Sequence, residues 1–145
     1  MDPTVRTASA DDVGQLAELE REARAALVDQ RGGNRWLETH PERGDAWIEH
    51  VTTGAVTAAM IGELVVGYLV SARDGSIARI DEVYVTPQAR QLGFGDALIE
   101  TVLATARQSG CTAIEGEALP GDRETKNLYE RAGITARLIV VSKLL

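Results

Sequence analysis

The stretch from Arg79 to Arg107, RIDEVYVTPQARQLGFGDALIETVLATAR, limits the possible folds more than any other part of the 145-residue chain. Its first part reads as a strand, and a short turn follows that carries Arg90, Gly93 and Gly95. Leu98, Ile99, Val102, Leu103 and Ala106 then recur at helical spacing, with Asp96, Glu100 and Arg107 off the stripe. A strand that runs through a glycine turn into a helix leaves the helix's first backbone N–H groups without partners. Such a unit can offer them to an anion, in particular a diphosphate. A crossover helix also makes the strands it joins parallel. The next strand-like run, Cys111 to Ala118, is therefore expected beside Ile77 to Val85.

The rest of the chain reads as a frame for this unit. Thr4 to Thr7 is a short strand candidate, and Ser9-Ala10-Asp11-Asp12 resembles a capping box. Val13, Leu16, Ala17, Ala23 and Leu27 predict an amphipathic helix over 11–29, broken by Arg31-Gly32-Gly33-Asn34. Residues 35–44 read as an irregular loop. A short helix over 45–52 follows, with Trp47, Ile48 and Val51 on one face. From Ala55 the period changes. Ala55–Ile61 and Leu64–Ala72 form a hairpin about Gly62-Glu63, and Arg73–Ser76 turns into Ile77–Val85 to complete an antiparallel meander.

Ser109-Gly110 ends the crossover helix, and Asp122 caps a last helix over 123–132 that Gly133 closes. Ile134 to Val141 is the expected final strand. The order β-α-α-β-β-β-α-β-α-β predicts an α/β (α+β) fold, a mixed and mostly antiparallel central sheet flanked by helices. One domain over 1–145 is expected.

Composition bounds the function classes. Aromatic residues make up 4%, so the core must be built mainly from Ala, Val, Leu and Ile. The net charge of −7 without a basic block argues against nucleic acid as a partner. No apolar run approaches membrane-spanning length and no leader pattern opens the chain, so no membrane partner and a cytoplasmic location are expected. Cys111 is alone, which excludes an internal disulfide. His40 and His50 lack metal-ligand spacing, so no metal is expected.

The glycine turn is neither a Walker loop nor a Rossmann fingerprint. No Gly-Lys-Ser/Thr follows, position 98 is Leu, and a meander precedes it. The run Val83-x-Val85, Pro87, Arg90-x-x-Gly93-x-Gly95-x-x-Leu98 resembles the acyl-CoA-binding motif of the GNAT superfamily of N-acetyltransferases. Leu128-Tyr129-Glu130-x-x-Gly133-Ile134 resembles that family's second signature, and the element order agrees over essentially the whole chain. Three positions depart from the pattern: Asp122 stands for a frequent asparagine, Thr125 for an alanine, and Ile134 for an aromatic.

The resemblance implies a GNAT-like fold with acetyl-CoA as co-substrate and an amine as acceptor, either a small molecule or a protein amino group. It implies that the backbone of Gln91, Leu92, Gly93, Phe94 and Gly95, with Arg90, binds the pyrophosphate. Val83 and Val85 would hydrogen-bond the pantetheine between two splayed strands, with an N–H there polarising the thioester carbonyl. The acceptor ammonium must lose a proton before it attacks. Glu82 is the first choice of base, with Asp81 and Glu117 as rivals. Tyr129 is the general acid of the motif. The alternative is an acyl-CoA-binding sensor that shares the fold without the reaction. The final strand, if it is an open edge, leaves homodimerisation open.

Overall fold

In the computed structural model, which describes residues 3–145, the meander forms where its turn residues put it. β2 (Val56–Ile61) turns into β3 (Leu64–Asp74) at Gly62, which takes φ +59°. β3 turns into β4 (Ile77–Val85) at Gly75, at φ +60°. Glycine adopts these left-handed angles without steric penalty, so both hairpins follow from the sequence. β1 (Thr4–Thr7) pairs antiparallel with β2, and β5 (Ala113–Gly116) lies parallel to β4, in the order β1-β2-β3-β4-β5. The parallel pair follows from the crossover helix α4 (Phe94–Gln108), as expected.

The sheet has a core on each face. On one, α4 and α5 (Arg123–Arg131) bury Phe94, Leu98, Ile99, Leu128 and Tyr129 against Leu69 and Ile80. On the other, Leu16 of α1 (Val13–Leu27) and Trp47 and Val51 of α3 (Ala46–Thr52) pack on Val56, Ala58, Tyr68 and Val70. Ala58 and Ala59 go to opposite faces, as strand alternation requires. Before α1, Arg6 clamps Asp12 with two hydrogen bonds of 2.7 and 2.9 Å, and Asp12 also accepts from the Ser9 N–H at 2.8 Å.

Four expectations need correction. Part of the supposed loop 35–44 is a helix, α2 (Gly33–Thr39), which starts after Gly32 at φ +83° and stacks Trp36 on His40 one turn later. Ile48 points outward, since in α3 only Trp47 and Val51, one turn apart, can face the sheet together. β5 is shorter than 111–118, because Cys111 and Thr112 close the turn from α4, while Glu117 and Ala118 leave the sheet. Ile134–Val141 forms no strand. A β-prone run becomes a strand only against a second edge, and here none lies beside it. No helix among the described residues is long and apolar enough to cross a membrane.

Candidate active site

The sheet opens where β4 outruns β5. Their pairing ends at Ile80 opposite Gly116, while β4 continues from Asp81 to Val85 with no strand on that side among the described residues. A bulge sits at the start of the opening. Val70 pairs with Glu82 and Ser71 with Ile80, which leaves Asp81 without a partner. The extra residue reverses the alternation, so Ile80 and Val83 share the α4 face although they are an odd number of residues apart. Thr86 donates its N–H to the Val66 carbonyl at 2.8 Å. Counting back by alternation, Tyr84 and Glu82 address β3 with their backbones, and Val83 and Val85 turn theirs to the open side. The Val85 carbonyl accepts there from Arg90 Nε at 2.9 Å.

The turn into α4 lies beyond the end of β4. Gln91 has φ +65°, the one non-glycine residue with a positive φ among those described, and Gly93 caps α4 at φ +88°. Among the described residues, the N–H groups of 91–96 meet no acceptor. Left-handed residues at this spacing turn successive N–H groups inward as a nest, and the helix N-terminus adds its partial positive charge. The two glycines have different reasons for being small. A Cβ on Gly93 would lie 2.9 Å from Pro3, on top of its left-handed backbone. A Cβ on Gly95 would lie 3.2 Å from the Leu128 side chain, so Gly95 lets α5 close on α4. Phe94 is buried as the anchor of α4 and Leu92 is exposed. Arg90 reaches back to Glu124 at 3.0 Å and lies over the Tyr84 ring, which fastens the turn to α5 and β4.

Tyr129 closes the inner end of the opening. Asp122 caps α5 by accepting from the Thr125 N–H at 3.1 Å and its hydroxyl at 2.6 Å, so the aspartate serves the capping role itself. That register turns Leu128 and Tyr129 inward. Tyr129 is 6% exposed, and its hydroxyl lies where a Cβ on Gly116 would be, 2.8 Å away. Burial pushes the phenol above its ordinary range, with the charges of Asp122, Glu117 and Glu82 behind it. It stays protonated throughout the neutral range.

Glu82 faces the other side of β4, toward α1 and α3. Its Oε1 accepts from Arg43 Nη1 at 2.6 Å, and the same nitrogen donates to Glu20 Oε2 at 2.8 Å. Glu20, 2% exposed, also accepts from the Arg43 backbone N–H and from Trp47 Nε1 at 3.0 Å, while the guanidinium lies 5.0 Å above the Trp47 ring. Tyr68 is buried beside them with a hydroxyl that meets no hydrogen-bond partner among the described residues. Burial first, and the Glu82 charge second, hold that proton in place. The rival carboxylates are more open: Asp81 pairs with Arg79 at 3.1 Å and Glu117 is exposed. A separate cleft of about 400 Å³, between α1 and the start of β3, includes none of the predicted site residues.

The structure therefore gathers Val83, Val85, the 91–95 backbone and Tyr129 around one opening, with Glu82 behind the strand that borders it. Sequence reasoning missed Arg43, Glu20 and Gly116. Glu20 carried a signal, because it falls on the apolar stripe of α1 between Leu16 and Ala23, where a lone carboxylate needs a cation. Arg43, in an unpatterned polar stretch, carried none.

The profile of the acetyltransferase (GNAT) family matches residues 15–134. The chain belongs to this family. With it the chain is an acetyltransferase. A thialysine N-epsilon-acetyltransferase of Mus musculus is 26% identical over 141 residues, covering 89% of this chain and 82% of the relative. The PaiA N-acetyltransferase of Thermoplasma acidophilum, solved with coenzyme A, superposes with a TM-score of 0.72 at 14% identity, over 90% of this chain and 89% of that one. AAC(6′)-Iy, solved with a CoA-based bisubstrate analog, does so at 0.69 and 15% identity over the full length of both chains. At these identities the two structures speak for the fold, a five-stranded mixed sheet flanked by helices.

Proposed function

We propose that this GNAT chain transfers an acetyl group from acetyl-CoA to a primary amine by direct attack. The observation that carries the reading is the opening between β4 and β5, with free N–H groups at one end and the Tyr129 phenol at the other. These residues fit the co-substrate by chemistry. The nest at 91–96 suits a pyrophosphate, and the bare edge of β4 at Val83 suits an amide-bearing arm. The thialysine and aminoglycoside names of the relatives support an amine acceptor.

Residue by residue, the Gln91–Gly95 backbone holds the diphosphate, while Arg90 keeps that turn in shape through Val85 and Glu124. The Val83 N–H lies on the edge where a thioester carbonyl would be polarised. An alkylammonium of pKa ~10.4 must be deprotonated before it attacks, and Glu82 is the base we assign, reached from the α1 side of the sheet. The amine nitrogen then bonds to the thioester carbon, the carbon–sulfur bond breaks, Tyr129 gives its proton to the leaving thiolate, and the second proton that the nitrogen sheds on becoming an amide returns to the Tyr129 phenolate, directly or through water. A buried phenol raised above ~10 is a reluctant acid toward a thiolate whose thiol is ~8.5 in water. Desolvation in the same site disfavours the thiolate as well, which narrows the gap between the two groups.

One observation favours a second reading. Arg43 already occupies Glu82 at 2.6 Å, as it would in a chain that binds acyl-CoA without catalysing transfer. Free thiol release from acetyl-CoA, followed across a panel of diamines, thialysine, aminoglycosides and peptide amino termini, separates the two. Release with at least one amine is the expected outcome. Tight acetyl-CoA binding with no release from any amine supports the sensor, and no binding by calorimetry removes both readings. For the assembly we propose a homodimer.

A further inference from the structure

We infer that Tyr68 is a positioning residue for this reaction: its hydroxyl takes hold of the Glu82 carboxylate when the acceptor ammonium displaces Arg43 from it. This role rests on Glu82 being the base. Tyr68 pairs with Tyr84 and Val70 with Glu82, so Tyr68 and Glu82 are diagonal neighbours on the α1 face of the sheet. An aromatic and a long side chain can bridge that separation. The Tyr68 ring is held edge-on to Trp47, with centroids 5.2 Å apart, and tilted against Tyr84 at 6.1 Å.

Packing does not explain the hydroxyl. Tyr68 is fully buried, and among the described residues its oxygen meets no partner at hydrogen-bond distance. A phenylalanine would fill the same space without leaving a buried donor unpaired, which costs free energy. The other carboxylates nearby are taken. Both oxygens of Glu20 accept, from Arg43 and from Trp47 Nε1, and Glu22 accepts from the Tyr84 hydroxyl at 2.6 Å. Glu82 differs. Its Oε1 accepts from Arg43, while no described residue donates to its Oε2. Its charge still reaches the Tyr68 phenol and helps to hold the proton there.

Arg43 can release Glu82 without leaving its place. Its backbone N–H and Nη1 both bind Glu20 and its guanidinium lies 5.0 Å above the Trp47 ring, whereas one bond of 2.6 Å ties it to Glu82. The two carboxylates share one guanidinium, so the cluster carries a net negative charge that the acceptor ammonium would offset. A carboxylate that exchanges one cation for another needs a fixed neutral donor to keep its direction. Tyr68 is the unpaired donor beside it, and a hydrogen bond from Tyr68 to Oε2 aims Oε1 at the incoming amine. The phenol only donates, because its proton is held well above the ordinary range, and the proton of the ammonium goes to Glu82.

The test is a double-mutant cycle on kcat, with acetyl-CoA and thialysine, or the first amine of the panel to give thiol release. Tyr68→Phe should lower kcat about tenfold, as for one hydrogen bond to a charged group, with KM for acetyl-CoA unchanged and a urea midpoint no lower than that of the wild type. Glu82→Gln should lower kcat by about 10²-fold or more. Adding Tyr68→Phe to it should cost nothing further, because no base is left to orient. Losses that multiply, an undiminished kcat in Tyr68→Phe, or a loss that accompanies a lower urea midpoint overturn the role of Tyr68 while Glu82 stays the base. An undiminished kcat in Glu82→Gln, or no release with any amine, overturns the base and this role with it.

Discussion

The hydroxyl of Tyr129 lies 2.8 Å from where a Cβ on Gly116 would stand, so the last paired residue of β5 can only be glycine while the phenol keeps its place. Gly116→Ala should therefore act on Tyr129 and not on the diphosphate turn. The expected outcome is a loss of turnover on the order of that from losing an acid, about 10²-fold or more, with acetyl-CoA affinity nearly intact. Steady-state kinetics beside calorimetry measures both. An unchanged kcat would show that the phenol's position is immaterial.

Tyr129→Phe tests the proton itself, and pH adds a second readout. Burial raises the phenol, so the group remains protonated below its ordinary ~10 and keeps its proton above it. Turnover should rise with pH as the acceptor amine deprotonates, without an alkaline fall from Tyr129 before about pH 10. The phenylalanine variant should lower kcat across the whole range. Equal turnover in the variant removes Tyr129 as the acid.

Arg43 lies between two carboxylates, 2.8 Å from Glu20 and 2.6 Å from Glu82. Arg43→Met keeps most of the volume and leaves Glu20 buried without a cation. Stability should fall by about 3–5 kcal/mol, read from urea unfolding. Converting Glu20 as well, in Glu20→Gln/Arg43→Met, should recover part of the loss, since the unpaired charge causes most of it. A double variant no more stable than the single would mean that the arginine stem, not its charge, holds this face.

Gly95→Ala separates packing from ligand contact. The added methyl meets Leu128 at 3.2 Å, so overpacking of about 1–3 kcal/mol is expected, with acetyl-CoA affinity changed little. Leu128→Val should relieve it in the double variant. Loss of acetyl-CoA binding at full stability would return Gly95 to the ligand.

The Arg6 clamp predicts a pH dependence of stability. Its hydrogen bonds hold the Asp12 carboxyl below the usual carboxylate range. A group depressed on folding stabilises fully above its unfolded value of ~3.9, and that stabilisation is lost as pH falls through the lower folded value. The stability gap between wild type and Asp12→Asn should be constant near neutrality and shrink below about pH 4. A gap that persists undiminished at lower pH would mean that Asp12 acts by packing.

Local physics made much of this legible in the sequence. Turn glycines placed both hairpins, period and length placed α1 and α4, and the crossover made β4 and β5 parallel. Motif frames pointed to the diphosphate turn and Tyr129, because backbone donors and an inward helix position depend on a few neighbouring residues. The tertiary structure decided what depends on register and on distant partners. The bulge at Asp81 puts Glu82 on the α1 face, and no alternation rule shows where a strand slips by one residue. Arg43 meets Glu82 from 39 positions away. The run Leu138–Val141 has a strand's composition, yet whether it becomes one rests on an edge to pair with, which composition does not supply.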